Sequence, residues 1–134
     1  MMKKVLTIGV YDLLHLGHIE LFRKAKALGD YLIVAVQDAD FVTKFKPDTK
    51  LVYTTEQRLY MVSSVKFVDE VVEYQSADQI VKTVDFDILA VGPDQTNNAF
   101  ILAKEWCKLH GKNVITIPRT SGVSSSALRK GVNS

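Results

Sequence analysis

The chain has 134 residues, long enough for one domain with a single sizeable core, and its 47% apolar and 24% charged residues are those of an ordinary globular protein. A net charge of +2 is too small to indicate nucleic acid or a membrane surface as a partner. The one cysteine, Cys107, excludes an intramolecular disulfide and suits a reducing compartment. No apolar run reaches the 18 residues of a membrane span, and the N-terminal run stops at Gly9, too short for the core of a signal peptide. A cytoplasmic location without membrane insertion is expected.

The elements follow in chain order. Val5–Gly9 reads as a buried strand, and Ile19–Leu28 as a helix with Leu21, Phe22, Ala25 and Leu28 on one face, closed by Gly29 as a C-terminal cap. Tyr31–Val36 is continuously apolar, as a parallel strand covered on both faces would be. A polar stretch from Gln37 to Tyr53 carries Lys44, Lys46 and Lys50. Thr54 with Gln57 has the spacing of a capping box and opens a helix to about Ser63. Phe67–Val72 is a short strand, Ser76-Ala77-Asp78 caps a helix to about Thr83, and Ile88–Val91 is another buried strand. A helix near Ala99–His110 ends at Gly111, and Val114–Ile117 is the last strand. Ser124-Ser125-Ser126 opens a closing helix. There is no internal repeat or linker, so residues 1–134 are read as one domain. Strands separated by helices give an α/β fold: a Rossmann-like open parallel sheet with helices on both faces.

Such sheets bind ligands beyond the carboxyl ends of their strands. Here those ends, Gly9-Val10-Tyr11, Gln37-Asp38, Gly92-Pro93-Asp94-Gln95 and Pro118-Arg119-Thr120, are polar or glycine-bearing, whereas the strands are apolar. The first end leads into Asp12-Leu13-Leu14-His15-Leu16-Gly17-His18. A helix start offers free N–H groups and partial positive charge, Gly17 lets a phosphate approach the backbone, and His15 and His18 fall on one side of the turn. Capping or surface histidines are the plain alternative, and zinc is a third. The only further soft ligands, Cys107 and His110, lie far along the chain, so no metal ligand is assigned. The last loop, Arg119-Thr120-Ser121-Gly122-Val123-Ser124-Ser125, brings a fixed cation, hydroxyls and a tight turn to another helix start. That is either a second phosphate site or a serine-rich cap.

His15-Leu16-Gly17-His18 matches the HxGH signature of the nucleotidyltransferase superfamily, and the longer run from Gly9 resembles its cytidylyltransferase branch. The Arg119–Ser125 loop resembles the branch's RTxGIST motif, with Val and Ser in place of Ile and Thr. Leu28-Gly29-Asp30-Tyr31-Leu32, Lys44-x-Lys46, Glu56-x-Arg58 and Val68-Asp69-Glu70-Val71 make the whole pattern most similar to the glycerol-3-phosphate cytidylyltransferases. The resemblance implies transfer of CMP from CTP to a small alcohol phosphate, first of all glycerol 3-phosphate, in a homodimer that takes Mg2+ chiefly through the triphosphate. It implies catalytic roles for His15, His18, Lys46 and Arg119. Nucleotide contacts are implied for Gly9, Val10, Tyr11, Asp12, Gly17, Gly92, Asp94, Thr120, Gly122, Val123, Ser124 and Ser125, and acceptor contacts for Lys44 and Lys66. Asp12 either orients a histidine, approaches the metal or stabilises the turn. Arg58 either bridges its helix to the site or pairs on the surface. The chain departs from the branch where Lys66 replaces an arginine, where Ile80 replaces an acceptor lysine (Lys82 being the nearest substitute), and in Gly92-Pro93-Asp94-Gln95. This last variant resembles archaeal adenylyltransferases that make FAD. ATP-dependent adenylyl transfer, to FAD-type or sugar-phosphate acceptors, and a non-catalytic nucleotide-binding module are the alternatives.

Overall fold

A computed structural model describes residues 2–119. The elements are β1 (Lys4–Gly9), α1 (Leu16–Ala27), β2 (Tyr31–Gln37), α2 (Ala39–Phe45), α3 (Thr55–Ser63), β3 (Glu70–Tyr74), α4 (Ala77–Ile80), β4 (Ile88–Val91), α5 (Asn98–Leu109) and β5 (Asn113–Thr116). The five strands form one sheet in the order β3-β2-β1-β4-β5, every neighbouring pair parallel. The chain builds outward from β1 in one direction and then returns to build in the other. The crevice between the ends of β1 and β4 is therefore the switch point at which such sheets accept ligands.

Alternation along the strands sorts the core into two layers. Leu6, Ile8, Ile33, Ala35, Leu89 and Val91 face one way, against Ala77, Val81, Phe100, Ala103 and Cys107 of the α4–α5 side. Val5, Leu32, Val34, Val36, Ile88 and Ala90 face the other way, against Phe22 and Ala25 of α1 and Val62 of α3. All five residues from Leu32 to Val36 are buried, which is why β2 shows no polar alternation in the sequence.

Several boundaries move, each for a local reason. α1 begins at Leu16 rather than Ile19, because His15 supplies the cap. Gly29 is not a left-handed cap. A Cβ there would lie 2.6 Å from the Lys3 carbonyl oxygen, so close backbone approach is what requires glycine. Gly111, with φ +73°, does close α5 in the left-handed conformation. The polar stretch after β2 contains α2, capped by Asp38, which accepts from Phe41 N at 3.3 Å, and anchored by buried Val42. β3 begins at Glu70 because Val65–Val68 turns first, with Val68 N donating to Val65 O. α4 is only four residues long, and Ser76 sits at its cap position without a side-chain bond. The capping box of Thr54 and Gln57 forms as the spacing indicates, with bonds of 3.1 and 3.0 Å. The closing helix from Ser124, together with Thr120, Gly122, Val123 and Ser125, lies outside the described residues.

Candidate active site

β1 stops at Gly9, and the chain then turns through Tyr11, whose φ of +55° is the only positive value at a non-glycine position among the described residues. The turn folds the phenol back over Gly9, where a Cβ would come within 2.7 Å of the ring. Glycine is thus dictated by its neighbour two residues on. The buried Tyr11 ring meets Phe22 edge-on at 5.2 Å and His18 at 5.4 Å, forming an apolar wall behind the second histidine. Burial raises the pKa of its hydroxyl well beyond the ordinary phenol range, with the Thr7 side chain only partly opposing.

The histidines cap the helix they begin. Gly17 N donates to His15 Nδ1 at 2.9 Å, and His15 N donates to His18 Nδ1 at 3.3 Å. The two rings stack with centroids 3.9 Å apart. An Nδ1 that accepts carries no proton, so each neutral ring keeps its hydrogen on Nε2. Burial lowers the pKa of His15, and lowers that of His18 to about 4, with the charge of His15 adding to the effect and the Leu13 carbonyl opposing it. The pair therefore presents neutral imidazoles at the start of α1, whose Gly17, His18 and Ile19 N–H groups are themselves taken by the His15 side chain and carbonyl. Capping and phosphate binding are not rival readings here, because the cap fixes the tautomer that donates.

Around this turn lies a cleft of about 670 Å³, within the range of small-ligand sites. One wall comprises Gly9, Val10, Tyr11, Asp12, His15, Gly17 and His18; the facing wall comprises Gly92–Gln95 and Ile117–Arg119; Lys46, Thr49 and Leu51 form the rim. The Gln95 amide is held at both ends, donating to Ile8 O at 2.6 Å and accepting from Gly92 N at 3.1 Å. It ties the β4 loop to the end of β1. Lys104 Nζ donates to Gln95 O at 2.9 Å from below. Arg119 forms an ion pair with Asp94, both side chains being more than half exposed. Lys44 and Lys66 are not among the lining residues. Both are exposed, and each lies over the phenylalanine that follows it in sequence, at 5.7 Å from Phe45 and 5.1 Å from Phe67.

Two residues carry more of the site than their sequence context indicates. Asp12 is 6% exposed, and its carboxylate accepts from Val52 N at 3.0 and 2.9 Å and from Tyr53 N at 3.0 Å. Arg58 is completely buried and donates to the Val10 and Gln37 carbonyls at 2.9 and 2.7 Å, so of its two possible roles it takes the bridging one. The sequence signals for this are its place in the Glu56-x-Arg58 part of the family pattern and its spacing of four residues from Val62, which puts both on one helix face. Among the described residues no three or more His, Cys, Asp or Glu side chains are grouped to hold a metal. Asp12 is turned to the backbone and Asp94 is paired to Arg119.

The chain is similar to known proteins along nearly its whole length. The model of the family described as cytidylyltransferase-like matches residues 6–131. The glycerol-3-phosphate cytidylyltransferase of Staphylococcus aureus is 38% identical over 96% of this chain and 94% of its own. An FAD synthase of Picrophilus torridus is 39% identical over 95% and 94%. Among solved structures, a lipopolysaccharide core biosynthesis protein from Thermoplasma volcanium superposes with a TM-score of 0.71 at 31% identity, covering 90% of this chain and 98% of that one.

Proposed function

The chain belongs to the cytidylyltransferase-like family, and on that premise we propose that it transfers CMP from CTP to an alcohol phosphate, glycerol 3-phosphate first among them, giving CDP-glycerol and pyrophosphate. The observation that carries this reading is the pair of stacked, neutral imidazoles at the start of α1, across the switch-point cleft from Arg119. An acceptor phosphate oxygen attacks the α-phosphorus while the bond from that phosphorus to the β-bridging oxygen breaks, and pyrophosphate leaves with the electron pair. The attacker is already an anion, so no general base is required. Both reactants are anions as well, so charge repulsion is a main part of the barrier. The protein's share is to position them and to meet charge that builds in the transition state. His15 and His18 donate from Nε2 to the α-phosphate oxygens. Lys46 approaches the phosphates from the rim, and Arg119, exchanging Asp94 for phosphate, meets the departing pyrophosphate. The loop residues Thr120, Gly122, Val123, Ser124 and Ser125 complete the triphosphate site by resemblance, and Lys44 and Lys66 approach the acceptor only if their segments move toward it. A magnesium ion held through the triphosphate would neutralise part of its charge. Assembly as an isologous homodimer is part of the same proposal.

Adenylyl transfer from ATP is the second reading. The Gly92-Pro93-Asp94-Gln95 loop and the similarity to an FAD synthase favour it. Pyrophosphate release from CTP or ATP, each tried with glycerol 3-phosphate, a sugar phosphate and FMN, separates the two. CTP with glycerol 3-phosphate is expected to turn over fastest. Turnover with ATP and not CTP would move the assignment to adenylyl transfer, and no turnover with any pair would leave a non-catalytic nucleotide-binding module.

A further inference from the structure

Between β2 and α3 the chain leaves the sheet at Gln37, forms α2, passes through Lys46 and the cleft rim at Thr49 and Leu51, and returns at Thr54. Few apolar contacts hold this excursion, since residues 43–48 are all exposed. Its two roots are held by polar bonds that meet beside the histidine turn. Asp12 takes the N–H groups of Val52 and Tyr53 at 2.9–3.0 Å. Arg58 takes the Tyr53 carbonyl at 3.3 Å from the other side, then the Val10 and Gln37 carbonyls at 2.9 and 2.7 Å and the Thr55 hydroxyl oxygen at 3.3 Å. Thr55 Oγ1 in turn accepts from Ala39 N, at the start of α2, at 2.9 Å. The end of β1, the end of β2 and both roots of the excursion thus converge on one buried carboxylate and one buried guanidinium.

Burying two charges to close a surface loop is costly, and an apolar pair would fill the same volume more cheaply. What an apolar pair cannot do is fix several backbone groups in definite directions. A guanidinium, with its planar fork, does this for four acceptors at once. We propose that Asp12 and Arg58 are positioning residues, forming a clamp that holds the Lys46-bearing segment against the histidine turn and so sets the reach of Lys46 to bound phosphates. The inference rests on the nucleotidyl-transfer reading for its consequence and on the bonds themselves for the clamp.

Two measurements test it. In Asp12→Ala no oxygen is left to accept from the Val52 and Tyr53 N–H groups, and hydrogen exchange at both is expected to speed by about tenfold or more while β2 and α3 stay protected. Unchanged exchange at those two amides would overturn the clamp. In steady-state kinetics, Asp12→Ala is expected to lower kcat/KM about tenfold in the wild-type background and less than twofold in Lys46→Ala, because a clamp that acts through Lys46 has nothing to position once that side chain is gone. Losses that multiply in the double variant would overturn the link to Lys46 and place Asp12 directly on the nucleotide or the histidines. Arg58→Lys, which keeps the charge and loses the fork, is expected to repeat both patterns and serves if Asp12→Ala fails to fold. A wild-type protein that turns over no nucleotide would sink the transfer reading alone, since the exchange measurement still decides the clamp.

Discussion

The capped histidine pair makes a quantitative demand on stability as the pH falls. In the folded chain His18 has a pKa of about 4, against 6.5 for an ordinary histidine, because it is buried against Tyr11 and stacked on His15. Between those two values the unfolded chain binds a proton that the folded chain refuses. Stability therefore rises with pH across this window and is lost as pH falls through it. Taking the ratio of binding polynomials at pH 5, (1 + 10^1.5)/(1 + 10^−1), gives a loss of about 2 kcal/mol from His18 alone relative to neutral pH. Carboxylates contribute to acid destabilisation too, so the comparison must be differential. In His18→Asn the amide oxygen can take the place of Nδ1 in accepting from His15 N, yet the side chain does not titrate. Urea unfolding of both proteins at about pH 7.5 and pH 5 should show the wild type losing about 2 kcal/mol more than the variant. Parallel losses, within about 0.5 kcal/mol, would mean that His18 titrates like a solvated imidazole, and the argument for a fixed neutral donor would fall with it.

Three further outcomes follow from the same geometry. His18→Ala should lower kcat by about 10²-fold or more, the range for removing a transition-state donor, as read by pyrophosphate release; a loss within threefold would reject the role. Gly9→Ala should destabilise the fold by about 1–3 kcal/mol, because the new methyl meets the Tyr11 ring at 2.7 Å; an unchanged melting temperature would contradict the placement of that ring. Arg119→Lys should lower kcat and kcat/KM together if the fork meets charge on the departing pyrophosphate, whereas a rise in KM alone would assign it to ground-state grip, and wild-type kinetics would remove it from the site.

The sheet was legible because burial on both faces leaves long apolar runs, and β1, β2 and β4 are such runs. Edge strand β3 has Glu70 and Glu73 exposed, Val71 and Val72 half-buried and only Tyr74 buried, so its start reads three residues early. α2 was hidden because only Val42 of its seven residues is buried and exposed Asp40, Thr43 and Lys44 resemble a solvated loop, although Asp38 was a readable cap. The histidine turn announced itself through glycine and imidazole spacing. Nothing in that spacing showed that Nδ1 of each ring would be taken by backbone, since this depends on the turn through Tyr11 and on ring stacking. Arg58 was harder still: its partners, Val10, Gln37, Tyr53 and Thr55, are brought together by three separate elements, and three of the four are reached through backbone carbonyls, which no side-chain pattern reveals.

The same distinction explains why the chemistry of this chain is easier to read than its substrates. Phosphate is recognised by N–H groups at helix starts and by fixed cations, and these require glycine, histidine and arginine at set positions. By resemblance, the base and the acceptor are met instead by segments such as the β4 loop. There Gln95, part of the Gly92-Pro93-Asp94-Gln95 variant, has both ends of its amide bonded, to Ile8 O and Gly92 N. A side chain so engaged keeps one N–H and one oxygen lone pair, but its rotamer is fixed by the backbone groups it holds. Part of its effect on specificity is therefore through the shape it gives to Gly92, Pro93 and Asp94, since the amide ties this loop to the end of β1. Asp94 is thereby brought to Arg119 on the facing strand end, in an exposed pair worth at most about 1 kcal/mol. We propose that so weak a pair opens to a triphosphate and leaves the Asp94 carboxylate to face the nucleoside, so that discrimination between cytosine and adenine is to be sought in Asp94 and the backbone beside it as well as in Gln95.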